Sequence, residues 1–409
     1  MSLLEKIQKY LLIIALVGLL LPLNLSSMAL ILFIITSFFT RVIARKSIVP
    51  KKKQLLFAGY FLLYPLALLY SENVGYGLRL MERNMVWFLI PMVIPLGLNF
   101  EKKILYQAFR VFSIAVHLLV VGLVAVAIWN YLETKDPLVF YYDQLTAIIK
   151  FHPVYLSLYL LFGMLILVDA WRKRMFKIPL YLGVVIILFD FVLLVLLSSK
   201  TVLISFLLVL LILVFRELKS KKQVFIALAG VFLLGLGITQ FSETKNRIND
   251  SLFSSWELLD KETFLYNDPF TGITLRLITW KFVMKKFLQH ENVLIGVGTG
   301  DATDYIDRVY IDRNMDEAGY LGFNLHNQYL EYFLKFGLIG LIYFMTILFL
   351  SFQKAIKDRN GLYFSFLIIF CMFSITESNL EVQRGIVFFV LINSLFYFFP
   401  EVSESKANE

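Results

Sequence analysis

The residues in this sequence best suited to chemistry are one histidine and a small set of cations. His326 and Asn327 close a long polar stretch and open an apolar one, in which Gly337 and Gly340 stand three apart. An imidazole exchanges a proton near neutral pH, so a histidine held in one direction can act as general base toward an attacking hydroxyl. Glycines three apart share a helix face and admit close helix contact. A helix packed in that way would fix the side chain at its first turn. The plainer reading makes His326 a helix-start residue among lipid headgroups. Asn327 adds a second hydrogen-bonding group and is itself a candidate contact to donor or acceptor.

Arg79, Arg83, Lys200 and Arg276 form the candidate anion-binding set. Arg79 and Arg83 are four apart and so neighbours on a helix. Like charges held together repel unless an anion lies between them, and arginine meets phosphate oxygens in a bidentate fork. Glu72 and Glu82 offer a duller account, as salt-bridge partners. Lys200 sits in the turn Ser198-Ser199-Lys200-Thr201 between apolar runs 182–197 and 202–215. Leu277, Trp280, Met284 and Phe287 share one face of an amphipathic helix at the membrane surface. At about 100° per residue, Arg276 lies beside that face, away from Lys281, Lys285 and Lys286. Snorkelling is the plainer account of each cation. Arg384, ahead of the last apolar run, and His152, before a helix-opening Pro153, are further candidate substrate contacts. His117, among Val and Leu, reads as a buried neutral histidine with a partner. Asp301, Asp304 and Asp307 lack calcium-loop spacing and read as a solvated loop, so no metal is expected there. The run Gly296-Val297-Gly298-Thr299-Gly300 has no βαβ context and reads as a compact turn.

The elements that must position these residues are membrane helices. The chain has 409 residues, 59% of them hydrophobic, and a mean hydropathy of +0.75; soluble domains carry about 45–50% apolar residues. The apolar runs approach the roughly 20 residues that cross a bilayer and are continuous, unlike the alternating segments of about ten residues in a barrel. The expected fold is all-α, a polytopic membrane protein with about twelve spans. They fall near 9–24, 26–40, 54–70, 84–99, 108–129, 153–170, 178–197, 201–215, 223–241, 327–351, 362–376 and 385–400. Residues 1–241 carry the first nine spans and 242–326 form one large outside loop with short helices. Residues 327–400 carry the last three spans, and 401–409 form a polar tail. The formal charge of +9 is explained by a positive-inside bias rather than by nucleic acid. Basic clusters near 41–53, 171–177 and 216–222 place both termini in the cytoplasm. Segments 71–83, 130–152, 198–201 and 242–326 then lie outside. The single cysteine, Cys371, forms no intrachain disulfide, and the first apolar run reads as a retained span.

His326-Asn327, nine intervening residues, then Gly337 and Gly340 resembles the signature of the O-antigen ligase and polymerase superfamily. Arg276 with Trp280, followed by Leu294-Ile295-Gly296-Val297-Gly298-Thr299-Gly300-Asp301, is similar to the stretch that precedes that histidine. Ser199-Lys200 resembles the family's Ser-Arg turn, with Lys in place of Arg. The resemblance implies an inverting membrane glycosyltransferase that needs neither metal nor other cofactor and works at the periplasmic face of a bacterial inner membrane. Its donor would be a glycan on undecaprenyl pyrophosphate, and its acceptor lipid A–core or another glycan. By position, His326 would be the base, and Arg276 and Lys200 would hold the leaving pyrophosphate. Arg79 and Arg83 join them on charge geometry alone. A lysine offers a point charge where arginine offers a fork. Ligation to lipid A–core is the first expectation, and a repeat-unit polymerase is the second. Some polymerases carry an Arg followed sixteen positions later by Gly, where this chain has Asn292 and Pro95. A protein-glycosylating ligase shares the donor chemistry. A flippase would instead show internal repeats and midplane charges.

Overall fold

The computed structural model describes residues 3–43, 49–97, 102–173, 179–197, 200–217, 220 and 255–399. The apolar stretch 223–241, residues 242–254 of the long loop, Ser198, Ser199 and the tail from 401 lie outside them. The described part is helical, and four of its helices are long and apolar enough to cross a membrane. These are Leu23–Ile43, Ile104–Thr134, Pro153–Arg172 and Gln328–Lys357. Shorter apolar helices cover Tyr181–Leu196, Lys200–Ile212, Gly361–Thr376 and Gln383–Phe398.

In chain order, α1 (Leu3–Gly18) and α2 (Leu23–Ile43) form a hairpin. A helical stretch follows, α3 (Lys52–Gly59) running through a 3-10 turn into α4 (Leu63–Leu68). Then come the amphipathic α5 (Val74–Asn84), α6 (Val86–Gly97), the long α7 (Lys102–Thr134) and the short α8 (Tyr142–Thr146). The bundle continues with α9 (Pro153–Arg172), α10 (Leu180–Leu196) and α11 (Lys200–Glu217). After the long loop's α12 (Gly272–His290) and α13 (Ala302–Asp312) come α14 (Gln328–Lys357), α15 (Gly361–Thr376) and α16 (Gln383–Phe398). Most expected spans within the described residues coincide with one helix, but 9–24 runs past the end of α1 and 54–70 covers α3, a 3-10 turn and α4.

The apolar character of α9 runs all round it, which suits a helix enclosed by others. Its membrane-length window is 83% buried, against 22% for α2 at the periphery. Around α9 the core is aromatic: Tyr159 stacks on Phe388, and Phe370 stacks on Phe389 at 3.8 Å between centroids. His117 of α7 has the partner expected of it. Its Nε2 lies 2.8 Å from an oxygen of the fully buried Asp190, and its Nδ1 2.6 Å from the Ser113 carbonyl. A carbonyl only accepts, so Nδ1 carries a proton; a second proton is shared between Nε2 and Asp190.

The long loop has a core of its own. Ile278, Phe282, Val283 and Phe287 of α12 pack with Tyr305, Ile306 and Tyr310 of α13 and with Leu334 of α14. This corrects the apolar face expected for α12. Leu277 is only partly buried, and the helix turns its Ile278 side inward because α13 supplies the apolar partner that sequence spacing does not show.

The break in α14 is the feature that fixes the rest. Gly337 has φ +64° and ψ −161°, so the helix is interrupted there. The loop 293–298 fills the gap. Val297 and Gly298 donate to the carbonyls of Leu334 and Lys335, while Leu338 and Ile339 donate to those of Val293 and Leu294. A Cβ on Gly337 would lie 2.3 Å from the Leu294 carbonyl carbon, and one on Gly296 would lie 2.6 Å from the Gly337 nitrogen. Gly337 therefore does not serve helix-on-helix packing as expected: it admits a loop. Further along that loop, Asp301 accepts from the backbone N–H of Glu72 and of Asn73, both at 2.8 Å, at the start of α5. Asn73 donates to Asp304 and Gly322 to Asp307. The acidic series is structural, not merely solvated.

Candidate functional site

The site is built where α14 begins. Asn327 is its N-cap, the side-chain oxygen accepting from the N–H of Tyr329 at 3.0 Å and of Leu330 at 3.1 Å. That bond satisfies first-turn donors that would otherwise lack partners, and leaves only the amide NH2 of Asn327 for a ligand. His326, one residue earlier, has φ +46°, an uncommon conformation for a residue with a side chain. It is held there on several sides. Its N–H donates to the Asn324 side chain at 2.9 Å. Trp280 of α12 donates to the carbonyl of Leu325 at 2.6 Å. Glu331, one turn into α14, accepts from the Leu325 N–H at 3.1 Å and from the Ser378 hydroxyl. A strained residue so determined by its neighbours is a mark of a working site.

Across from His326 lies the turn between α15 and α16, residues 377–382. Glu377 bridges the two principal candidates. One carboxylate oxygen is 3.3 Å from His326 Nδ1, and the other accepts from Arg276 at 2.9 Å. Arg276 also donates to the Gly272 carbonyl at 2.9 Å, while its Nε is buried without a partner. The side chains are 32% exposed at His326, 25% at Arg276 and 21% at Glu377, so the group is reachable but not freely solvated. Phe323 sets its ring edge-on to the imidazole. A carboxylate accepting from Nδ1–H holds the imidazole in the tautomer whose Nε2 is an acceptor.

The same turn collects other candidates. Arg83 donates to the Glu381 carbonyl at 2.7 Å. The Glu381 carboxylate takes the Lys335 ammonium at 2.7 Å, with Lys335 only 1% exposed. Leu380 donates to the buried Gln328 at 2.6 Å, and Asn327 N–H to Ser378. Thr201 shares a hydrogen bond with Thr376, which brings Lys200, exposed at the start of α11, to the neighbourhood of Glu377. Arg79 is exposed on α5, its guanidinium 5.8 Å from the Tyr76 ring centroid. Glu72 pairs with Arg308 rather than with Arg79 or Arg83.

Two candidates are engaged elsewhere. Arg384 stacks its guanidinium 3.7 Å from the Phe151 ring centroid and donates to the carbonyls of Leu19 and Leu21. His152 is the N-cap of α9, its Nδ1 accepting from Val154 N–H. Both tie neighbouring loops together at this end of the bundle. Loops expected on the outer side thus meet one another: the α1–α2 turn, 71–83, 151–152, 255–326 and 377–382.

Sequence reasoning missed Glu377. A signal was present: Glu377 and Glu381 are two carboxylates four apart in a short polar turn between apolar runs, on the side assigned to His326. No match among curated proteins accompanies the chain. Residues 183–345 match the family model described as O-antigen ligase, a segment that takes in Lys200, Arg276, His326 and Gly337.

Proposed function

We propose that this chain transfers a glycan from a lipid pyrophosphate, undecaprenyl pyrophosphate, to an acceptor hydroxyl, with inversion. The coarser statement, a membrane glycosyltransferase of the O-antigen ligase or polymerase type, is supported by the family match over residues 183–345. The observation that carries the finer one is the Arg276–Glu377–His326 chain of contacts. His326 Nε2 takes the proton of the acceptor hydroxyl as it attacks. Glu377 holds the ring and stabilises the imidazolium that forms. Arg276, whose side chain is a quarter exposed, offers its guanidinium to a pyrophosphate oxygen. Arg83 and Arg79 on α5 and Lys200 on α11 add positive charge round the leaving group. Fixed cations in a site partly shielded from water lower the barrier by meeting charge as it develops. One proton transfer and a good leaving group require neither a protein nucleophile nor a metal.

The outer-side loops gather with His326, and lysines from segments assigned to the cytoplasm gather at the opposite end. That supports an active site at the periplasmic face of the inner membrane with both termini in the cytoplasm. Ligation to lipid A–core is the preferred reaction and repeat-unit polymerisation the second, since Asn292 and Pro95 stand where some polymerases have Gly. The test uses His326→Ala in membranes loaded with lipid-linked glycan. Transfer falls about 10²–10⁴-fold if His326 is the base; transfer at the normal rate refutes it. Deleting the gene separates the acceptors. A ligase leaves intact lipid-linked polymer and no long chains on lipid A, whereas a polymerase leaves single repeats.

A further inference from the structure

At the other end of the bundle, α3 begins and α14 and α16 end around a cavity of about 580 Å³. It lies at the far end of α14 from His326, at most about 45 Å away for 30 residues at 1.5 Å each, since the helix is broken at Gly337. Five lysines line it: Lys51, Lys52 and Lys53 from the start of α3, and Lys354 and Lys357 from the last turn of α14. The two groups are about 300 residues apart in the sequence. A topology signal asks only that lysines lie on one side of the membrane; it does not ask them to converge on one concavity. Among the described residues no carboxylate lines the cavity, and Asp358, beside it, pairs with Lys354. Gln54, buried beneath, accepts from Lys51 N–H at 2.8 Å and fixes the start of α3. A helix start adds its own positive pole.

The other wall is apolar. Pro95, Leu350 and Phe398 line it with Tyr397, and Lys53 holds its ammonium 5.6 Å from the Tyr397 ring centroid. A site with concentrated ammonium groups on one side and hydrocarbon on the other matches an amphiphilic anion. We propose that this cavity binds the phosphodiester headgroup of an anionic phospholipid, with its glycerol and upper acyl carbons against Leu350 and Phe398. Clusters of four to eight basic residues at a membrane face attract anionic lipid at about fivefold in affinity per lysine, and the volume is that of an ordinary ligand pocket.

The test is native mass spectrometry of the full chain released from nanodiscs of phosphatidylcholine containing one-fifth phosphatidylglycerol. Wild type retains phosphatidylglycerol adducts. Lys354→Gln/Lys357→Gln and Lys51→Gln/Lys52→Gln/Lys53→Gln each lose them about tenfold or more, from opposite rims of the cavity. Lys6→Gln/Lys9→Gln, which removes charge outside the cavity, keeps them. Thermal midpoints in pure phosphatidylcholine, equal among all variants, show that the fold is intact. Adducts unchanged in both cavity variants overturn the proposal, as does equal loss in the control. Displacement of the lipid by millimolar inorganic phosphate overturns the lipid headgroup in favour of a free phosphate anion.

Discussion

Replacing Glu377 by Gln tests how the site works, because the substitution keeps the shape and removes the charge. In the structure the carboxylate faces His326 Nδ1 at 3.3 Å and Arg276 at 2.9 Å. In the proposed reaction His326 takes the acceptor proton, and an imidazolium would form beside that carboxylate. Both side chains are partly exposed, so an effective dielectric of about 40 is reasonable. Charge centres about 4 Å apart then attract by about 2 kcal/mol, which is about 30-fold in rate. We expect Glu377→Gln to lower kcat about 30-fold in a single-turnover assay with lipid-linked donor in membranes. The donor KM should not rise, because the substitution frees an Arg276 donor that faced the carboxylate. If Glu377 acts through the histidine, the same change in a His326→Ala background should cost less than about threefold, since the two effects would not add. An unaltered kcat, or a raised KM with kcat intact, would refute this and reduce Glu377 to a salt-bridge partner of Arg276.

Three further outcomes are expected. Gly337→Ala places a Cβ against the Leu294 carbonyl and forces φ +64° on a residue with a side chain; a loss of at least about 2 kcal/mol should show as a lower thermal midpoint, with protease cleavage in loop 255–326. Lys335→Met leaves the Glu381 carboxylate buried and unpaired and should cost about 3–5 kcal/mol, most of which Lys335→Met/Glu381→Leu should recover in thermal unfolding. Lys261 at 2.6 Å and the Leu265 N–H hold the Asp268 carboxyl below the usual range. Its stabilising contribution is therefore complete above about pH 4, the unfolded value, and is lost as pH falls through the lower folded value. Hydrogen exchange of amides 261–270 should accordingly be flat from pH 7 to 5, after correction for intrinsic rates, and lose protection only below about pH 4.

The apolar runs made the helices legible because a bilayer demands length and continuity, and both are local properties of a sequence. The candidate cations were legible for a similar reason: a charge between two apolar runs stands out. What escaped was what depends on contact between segments far apart. Gly337 and Gly340 in sequence look like any pair three apart, and only the arrival of loop 293–298 shows that Gly337 opens a helix rather than packing one. Asp301 looked solvated because its partners, the amides of Glu72 and Asn73, lie over 200 residues away. Glu377 is the same case with larger consequences. A carboxylate in a short turn has a ready bland account, and nothing within the turn indicates a histidine 51 residues earlier. The carboxylate also changes how the cations should be understood. Arg276 faces the Glu377 carboxylate and is itself a quarter exposed. In the proposed reaction it would couple the two halves. Binding of a pyrophosphate would draw charge from the Arg276–Glu377 pair and leave the carboxylate more available to the imidazole, so that the base is strengthened when the donor is in place. Arginine's fixed fork can do this and a lysine point charge cannot, which predicts that Arg276→Lys retains donor binding better than it retains turnover.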